Sequence, residues 1–136
     1  MENKPLSLLE LNSLVRRSIT SCLPDEYWVQ AELSDVRVNY SGHCYLEFVQ
    51  KDATGNALLA KARGIIWANV FSRLRAYFER ETGQAFVSGL KVLVKVTVDF
   101  HELYGYSLTV VNIDPTYTLG DMVRRRKDCL LYTSPS

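Results

Sequence analysis

The chain has few residues that could form disulfides or hold a metal ion. Its 136 residues include three cysteines and two histidines, and no two cysteines stand in a CxxC pair. An odd, widely spaced set of cysteines does not indicate a disulfide framework, and a zinc site needs clustered Cys or His ligands. We therefore expect no disulfide, no bound metal and no other cofactor.

Long apolar runs and a strong net charge are also absent. No apolar stretch approaches the roughly 20 residues that a membrane-spanning helix requires. Residues 1–5 are too polar for a secretory signal peptide. The formal net charge is +1, so any basic surface must be local. These features predict a protein of the reducing cytoplasm without a membrane partner.

Sequence motifs of the common catalytic sites are missing as well. No paired-carboxylate metal motif, phosphate-binding loop or nucleophile elbow occurs. His43 and His101 have neither a placed nucleophile nor an orienting carboxylate, and such histidines usually satisfy a turn or a loop. The sequence predicts no catalytic residue.

The periodicity of apolar residues predicts one mainly β domain with flanking helices. A helix is expected over residues 5–23, capped by Ser7 with Glu10. Its expected apolar face consists of Leu8, Leu11, Val15, Ile19 and Cys22. Period-two segments predict a strand of about ten residues from Tyr27. Four further strands are predicted over residues 44–50, 58–67, 91–100 and 106–117, with a helix over 69–82 before the fourth strand.

Five strands with a helix between the third and fourth have the element order of the OB-fold, a small Greek-key barrel. Residues 1–25 are expected to form a helix packed on this barrel, residues 26–118 the barrel itself, and residues 119–136 a connector helix with a tail. The last eight residues, 129–136, continue no periodicity, and we expect them to be a non-native tail.

Strands 2 and 3 and loops 1-2 and 4-5 form the binding surface of OB-folds. In strand 2, Cys44, Leu46 and Phe48 alternate with His43, Tyr45 and Glu47, so the second set should lie on the outer face. Loop 1-2 holds Asn39 and Tyr40, and loop 4-5 holds His101 and Glu102. The predicted nucleic-acid-binding residues are His43, Tyr45, Lys61, Arg63, Trp67, Tyr104 and Tyr106. Rings of this kind stack on bases and cations meet phosphates.

Each of these assignments has a structural alternative. Trp67 could pack under the helix that follows it, and Arg63 could pair with Glu47 across the strands. The basic run at 124–127 is typical of a solvated helix face. The domain could also be an OB-type protein-interaction module, or an RNA-binding domain of the anticodon-binding type.

Four segments resemble the large subunit of bacterial exodeoxyribonuclease VII. They are residues 6–12, residues 28–34, the turn Ser41-Gly42-His43 with Tyr45, and residues 101–108. The resemblance covers about residues 6–127. It implies an OB domain that binds single-stranded DNA for a nuclease that degrades it from the ends. It also implies partners, namely the rest of the large subunit and the small subunits, and a chain that binds without cutting.

Overall fold

The computed structural model describes residues 4–133, with side chains through residue 124. Three helices and five strands follow one another along the chain. The elements are α1 (Leu8–Cys22), β1 (Glu26–Val38), β2 (Cys44–Lys51), β3 (Leu58–Ile66), α2 (Ala68–Thr82), β4 (Lys91–His101), β5 (Gly105–Ile113) and α3 (Pro115–Thr133).

The five strands close into a barrel in the order β1-β2-β3-β5-β4. The long strand β1 pairs with β4 along its first half and with β2 along its second half, so one strand belongs to both sides of the barrel. A short parallel pairing of β3 with β5 closes the ring, while the other neighbours are antiparallel. This confirms the predicted mainly β architecture, a five-stranded OB-fold barrel with flanking helices.

The core consists of the inward side chains of all five strands, closed at one end of the barrel by α2. Helix α2 contributes Phe71, Leu74 and Phe78, and the Phe78 ring is fully buried with its edge against Phe86. The helix ends at Gly83, whose φ of 67° is the left-handed conformation that glycine adopts without strain. The predicted end of this helix is confirmed.

Helix α1 lies against β4 without burying any residue. The predicted capping box is present, since Ser7 and Glu10 exchange side-chain and backbone hydrogen bonds. The predicted apolar face is partly wrong, because Leu8, Leu11 and Cys22 are exposed. These three apolar side chains face solvent and do not pack against the barrel. The half-buried side chains of α1 are Asn12, Ser13, Val15 and Ile19.

The end of the last strand was also predicted wrongly. Strand β5 stops at Ile113, four residues before the predicted end at Tyr117, and α3 begins at Pro115. The Asp114 carboxylate accepts a hydrogen bond of 2.9 Å from the Thr116 N–H, and proline favours the first position of a helix. The helical backbone continues through Thr133. Residues 134–136 of the predicted tail, and the side chains of 125–127 in the basic run, lie outside the described residues.

Within residues 4–133, no helix combines the length and the apolar character needed to cross a bilayer.

Candidate nucleic-acid interface

Strands β2 and β3 place an alternating set of side chains on the outside of the barrel. Cross-strand partners there are Tyr45 with Ile65 and Glu47 with Arg63, while Cys44, Leu46 and Phe48 are buried on the inner side. We call the outer surface formed by Tyr45, Glu47, Lys61, Arg63 and Ile65 the β2-β3 face. Tyr45 is 45% exposed in this surface. The predicted division of strand 2 into inner and outer residues is confirmed.

A β-bulge in β1 extends this surface by residues that simple alternation could not place. Leu33 pairs with Phe48 and Asp35 pairs with Glu47, so Ser34 is an extra residue between them. A bulge shifts the alternation beyond it by one residue. As a result Arg37 lies beside Tyr45 on the outside, where its guanidinium pairs with Asp35 at 2.8 Å. Sequence reasoning missed Arg37 for this reason.

Glu47 puts a negative charge in the middle of the β2-β3 face. The Ser34 hydroxyl donates a 2.7 Å hydrogen bond to its carboxylate, and the Lys61 ammonium lies at 3.6 Å. The Ser34 hydrogen bond, with the nearby positive charges of Lys61 and Arg37, holds the pKa of Glu47 below its ordinary value. The carboxylate is therefore ionised at neutral pH. It forms an ion pair with Lys61, whereas the Arg63 guanidinium, the alternative partner, donates to the Tyr104 carbonyl oxygen instead.

His43 and Trp67 meet at the junction between β3 and α2. His43 Nδ1 accepts a 2.9 Å hydrogen bond from the Ala68 N–H, one of the N–H groups that a helix start leaves unpaired. The two rings touch edge to face with centroids 5.1 Å apart. Trp67 remains 47% exposed, so it does not pack under α2. His43 thus anchors the helix start, and Trp67 keeps a free ring surface.

Loop 1-2 presents one aromatic ring to solvent. The Asn39 side-chain oxygen accepts hydrogen bonds from the Ser41 and His43 N–H groups, at 3.0 and 2.9 Å. Such side-chain bonds to nearby backbone fix a turn. At the tip of this turn Tyr40 is fully exposed. Its ring is available for stacking, although it was predicted only as part of the loop.

Loop 4-5 is joined to β3 by Arg63. The Arg63 guanidinium donates to the Tyr104 carbonyl oxygen. His101 stacks on the Tyr104 ring with centroids 4.8 Å apart, and His101 Nδ1 accepts from the Leu103 and Tyr104 N–H groups. Tyr104 is 66% exposed. Arg63 therefore fixes this loop beside the β2-β3 face, and its guanidinium is already engaged there.

Tyr106 lies apart from the other predicted rings. It has the same alternation as the buried Leu108 and Val110, so it points toward the barrel interior at the end opposite α2. There it lines a cavity of about 350 Å³ together with Tyr27, Ala60 and Lys61. The structure thus brings His43, Tyr45, Lys61, Arg63, Trp67 and Tyr104 to one side of the barrel. Tyr106 lies at the open barrel end.

The described residues show no grouping that points to metal or thiol chemistry. Among them, no three His, Cys, Asp or Glu side chains gather where a metal ion could be held. Burial raises the pKa of the Cys44 thiol to about 11, and the exposed Cys22 is unpaired. The chemistry available on this surface is therefore stacking, hydrogen bonding and charge pairing.

Comparison with known proteins agrees with this geometry. The family model described as "OB-fold nucleic acid binding domain" matches residues 6–114. The exodeoxyribonuclease 7 large subunit of Deinococcus radiodurans is 40% identical over 124 residues, which is 88% of this chain. The chain spans only 29% of the length of that relative. Because the family model covers most of the chain, including the whole barrel, this protein belongs to the OB-fold nucleic acid binding domain family.

Proposed function

We propose that this domain binds single-stranded DNA across the β2-β3 face. The observation that supports the proposal is a set of exposed aromatic rings around that face. One ring comes from β2, one from the residue after β3, and one from each of loops 1-2 and 4-5. These rings are Tyr40, Tyr45, Trp67 and Tyr104. Stacking of one base on an aromatic ring contributes about 1–3 kcal/mol without regard to base identity, so a few rings suffice for useful affinity.

The charges of the same surface favour stacking as the main source of affinity. Arg37 is paired with Asp35, and Lys61 with Glu47, so most of the positive charge near the rings is balanced. Duplex DNA keeps its base faces stacked inside the helix and would meet mainly these balanced charges. A single strand can offer its bases to the rings. We therefore infer a preference for single strands over duplex.

The similarity to an exodeoxyribonuclease large subunit supports a role in a larger enzyme. We propose that this domain holds the strand while hydrolysis from the DNA ends takes place elsewhere in such an enzyme, in the cytoplasm. The proposed partners are single-stranded DNA, the rest of a large subunit and small subunits. The domain then contributes to catalysis by positioning the strand.

The first experiment is a titration of labelled oligo-dT with the chain, followed by fluorescence anisotropy at several salt concentrations, beside a duplex of equal length. Single-strand binding in preference to duplex supports the proposal. At most three phosphates can be contacted, by Arg37, Lys61 and Arg63. A plot of the logarithm of the binding constant against the logarithm of the salt concentration should therefore have a slope no steeper than about −2. Equal binding of both DNAs, or no binding at micromolar protein, would overturn it. Tighter binding of an oligo-U or mixed RNA would favour the RNA-binding alternative.

One observation favours a second candidate, an OB-type protein-interaction module. Leu8, Leu9, Leu11 and Leu14 of α1 are all 45% exposed or more, and a group of exposed large apolar side chains on one surface is typical of an interaction site. Sedimentation velocity over a range of concentrations tests this candidate. Self-association together with absent DNA binding would favour it over the DNA-binding proposal.

A further inference from the structure

Helix α1 holds loop 4-5 through three contacts to one residue. The Asn12 side-chain amide donates a 2.8 Å hydrogen bond to the Glu102 carbonyl oxygen. The Glu102 carboxylate accepts a 3.2 Å hydrogen bond from the Ser13 hydroxyl and pairs with the Arg16 guanidinium at 2.9 Å. The loop is thus attached by both its backbone and its side chain to a helix about 90 residues earlier in the sequence.

The same loop is held from its other side by groups of the candidate interface. Arg63 of β3 donates to the carbonyl oxygen of Tyr104, two residues after Glu102. His101 adds hydrogen bonds to the backbone and a stacking contact to Tyr104. Between these supports, the Tyr104 ring keeps its exposed surface. The contacts between α1 and Glu102 therefore help to fix the position of the Tyr104 ring, although α1 does not contact that ring.

We propose that Asn12, Ser13 and Arg16 of α1 are positioning residues, which fix loop 4-5 in the conformation that offers Tyr104 to a bound single strand. The inference rests on the proposed function. A loop that is ordered before binding loses less conformational entropy when the strand arrives, so the contacts of α1 raise affinity without meeting the DNA. A hydrogen bond from the Glu102 backbone N–H to its own carboxylate, together with the Arg16 charge and the Ser13 hydrogen bond, holds the pKa of Glu102 below its ordinary value. The carboxylate is therefore ionised at neutral pH, as the ion pair with Arg16 requires.

The test compares Arg16→Ala with Arg17→Ala. Both arginines lie on α1 and both variants remove one positive charge, but only Arg16 contacts Glu102. We expect Arg16→Ala to weaken binding of oligo-dT by about three- to tenfold. This is the entropy cost of ordering one or two loop side chains during binding when they are no longer ordered beforehand. Arg17→Ala should bind as the unaltered chain does. The thermal midpoints of the two variants should differ little, since the Arg16 side chain is about half exposed to solvent and a single ion pair at such a site stabilises a fold only slightly.

Two further measurements separate positioning from a general loss of stability. Hydrogen exchange of the amides in residues 101–105 should be faster in Arg16→Ala and unchanged in Arg17→Ala, because the Leu103 and Tyr104 amides donate within this loop. The exchanged pair Arg16→Glu with Glu102→Arg should restore much of the affinity that either single change removes.

The outcomes distinguish this inference from the function on which it rests. If the unaltered chain binds no single strand, the proposed function fails and the inference fails with it. If the chain binds but Arg16→Ala matches Arg17→Ala in affinity and in loop exchange, the inference alone is overturned. A weaker affinity without faster loop exchange would also overturn it, because Arg16 would then act by touching DNA.

Discussion

Replacement of Tyr45 by alanine tests the stacking role of the β2-β3 face most directly. The ring is 45% exposed between Arg37 and Ile65, and its hydroxyl makes one long contact of 3.5 Å with the Asn39 amide. If one base stacks on this ring, its loss costs about 1–3 kcal/mol, which raises Kd by roughly 5- to 150-fold. The free energy of unfolding should fall by no more than about 1 kcal/mol, because much of the ring is already in water.

The assay is the anisotropy titration with oligo-dT, repeated with Tyr45→Ala and with Tyr77→Ala as the matched control. Tyr77 lies on α2, is 37% exposed and is outside the β2-β3 face. Its replacement removes the same ring at similar exposure and should leave Kd unchanged. An unchanged Kd in a folded Tyr45→Ala chain would refute the reasoning. Equal losses in both variants would show that stability, and not stacking, controls the signal.

Three further predictions follow from single side chains. Glu47→Gln should bind oligo-dT several-fold more tightly, because it removes a negative charge from the β2-β3 face and releases Lys61. Glu26→Gln, on the part of β1 that pairs with β4, is the control and should not change the affinity. Weaker binding by Glu47→Gln would contradict this prediction. Phe78→Ala should lower the thermal midpoint by roughly 10–20 °C, because loss of this fully buried ring lowers the free energy of unfolding by about 3–5 kcal/mol. A shift below about 5 °C in calorimetry would contradict this and show that the core collapses around the gap. In a chain whose other two cysteines are serine, Cys44 should react with a thiol reagent at pH 8 only after unfolding, because its pKa of about 11 keeps the thiol protonated; rapid reaction of the folded chain would refute the buried position.

The barrel could be predicted because its strands carry a strong local signal. The valines of β4 at positions 92, 94 and 96 are all buried, as strict alternation requires. In β3, the small side chain of Ala62 and the absence of one at Gly64 leave room for the Phe48 ring, since a Cβ at residue 64 would lie 2.4 Å from that ring. Alternation was enough to identify the inner and outer faces of β2.

The face of α1 could not be predicted in the same way. A helical apolar pattern shows which residues share a side, but it does not show whether the fold supplies a partner for that side. Here the half-buried side chains of α1 are Asn12, Ser13, Val15 and Ile19, while Leu8 and Leu11 stay exposed. The polar contacts of this helix are made to Glu102, which lies in a distant loop. Only the folded arrangement brings these residues together.

The bulge at Ser34 shows why the site was harder to predict than the fold. The register on either side of the bulge keeps Leu33 and Val36 directed toward the core, so the extra residue costs the barrel little of its packing. Its effect falls on the outer surface, where Asp35 and Arg37 come to lie beside Glu47 and Tyr45. The sequence contains the serine but no pattern that marks it as unpaired. A shift of one residue in register thus changes which charged side chains lie on the outer surface of a strand. The apolar pattern of the core gives no sign of such a shift.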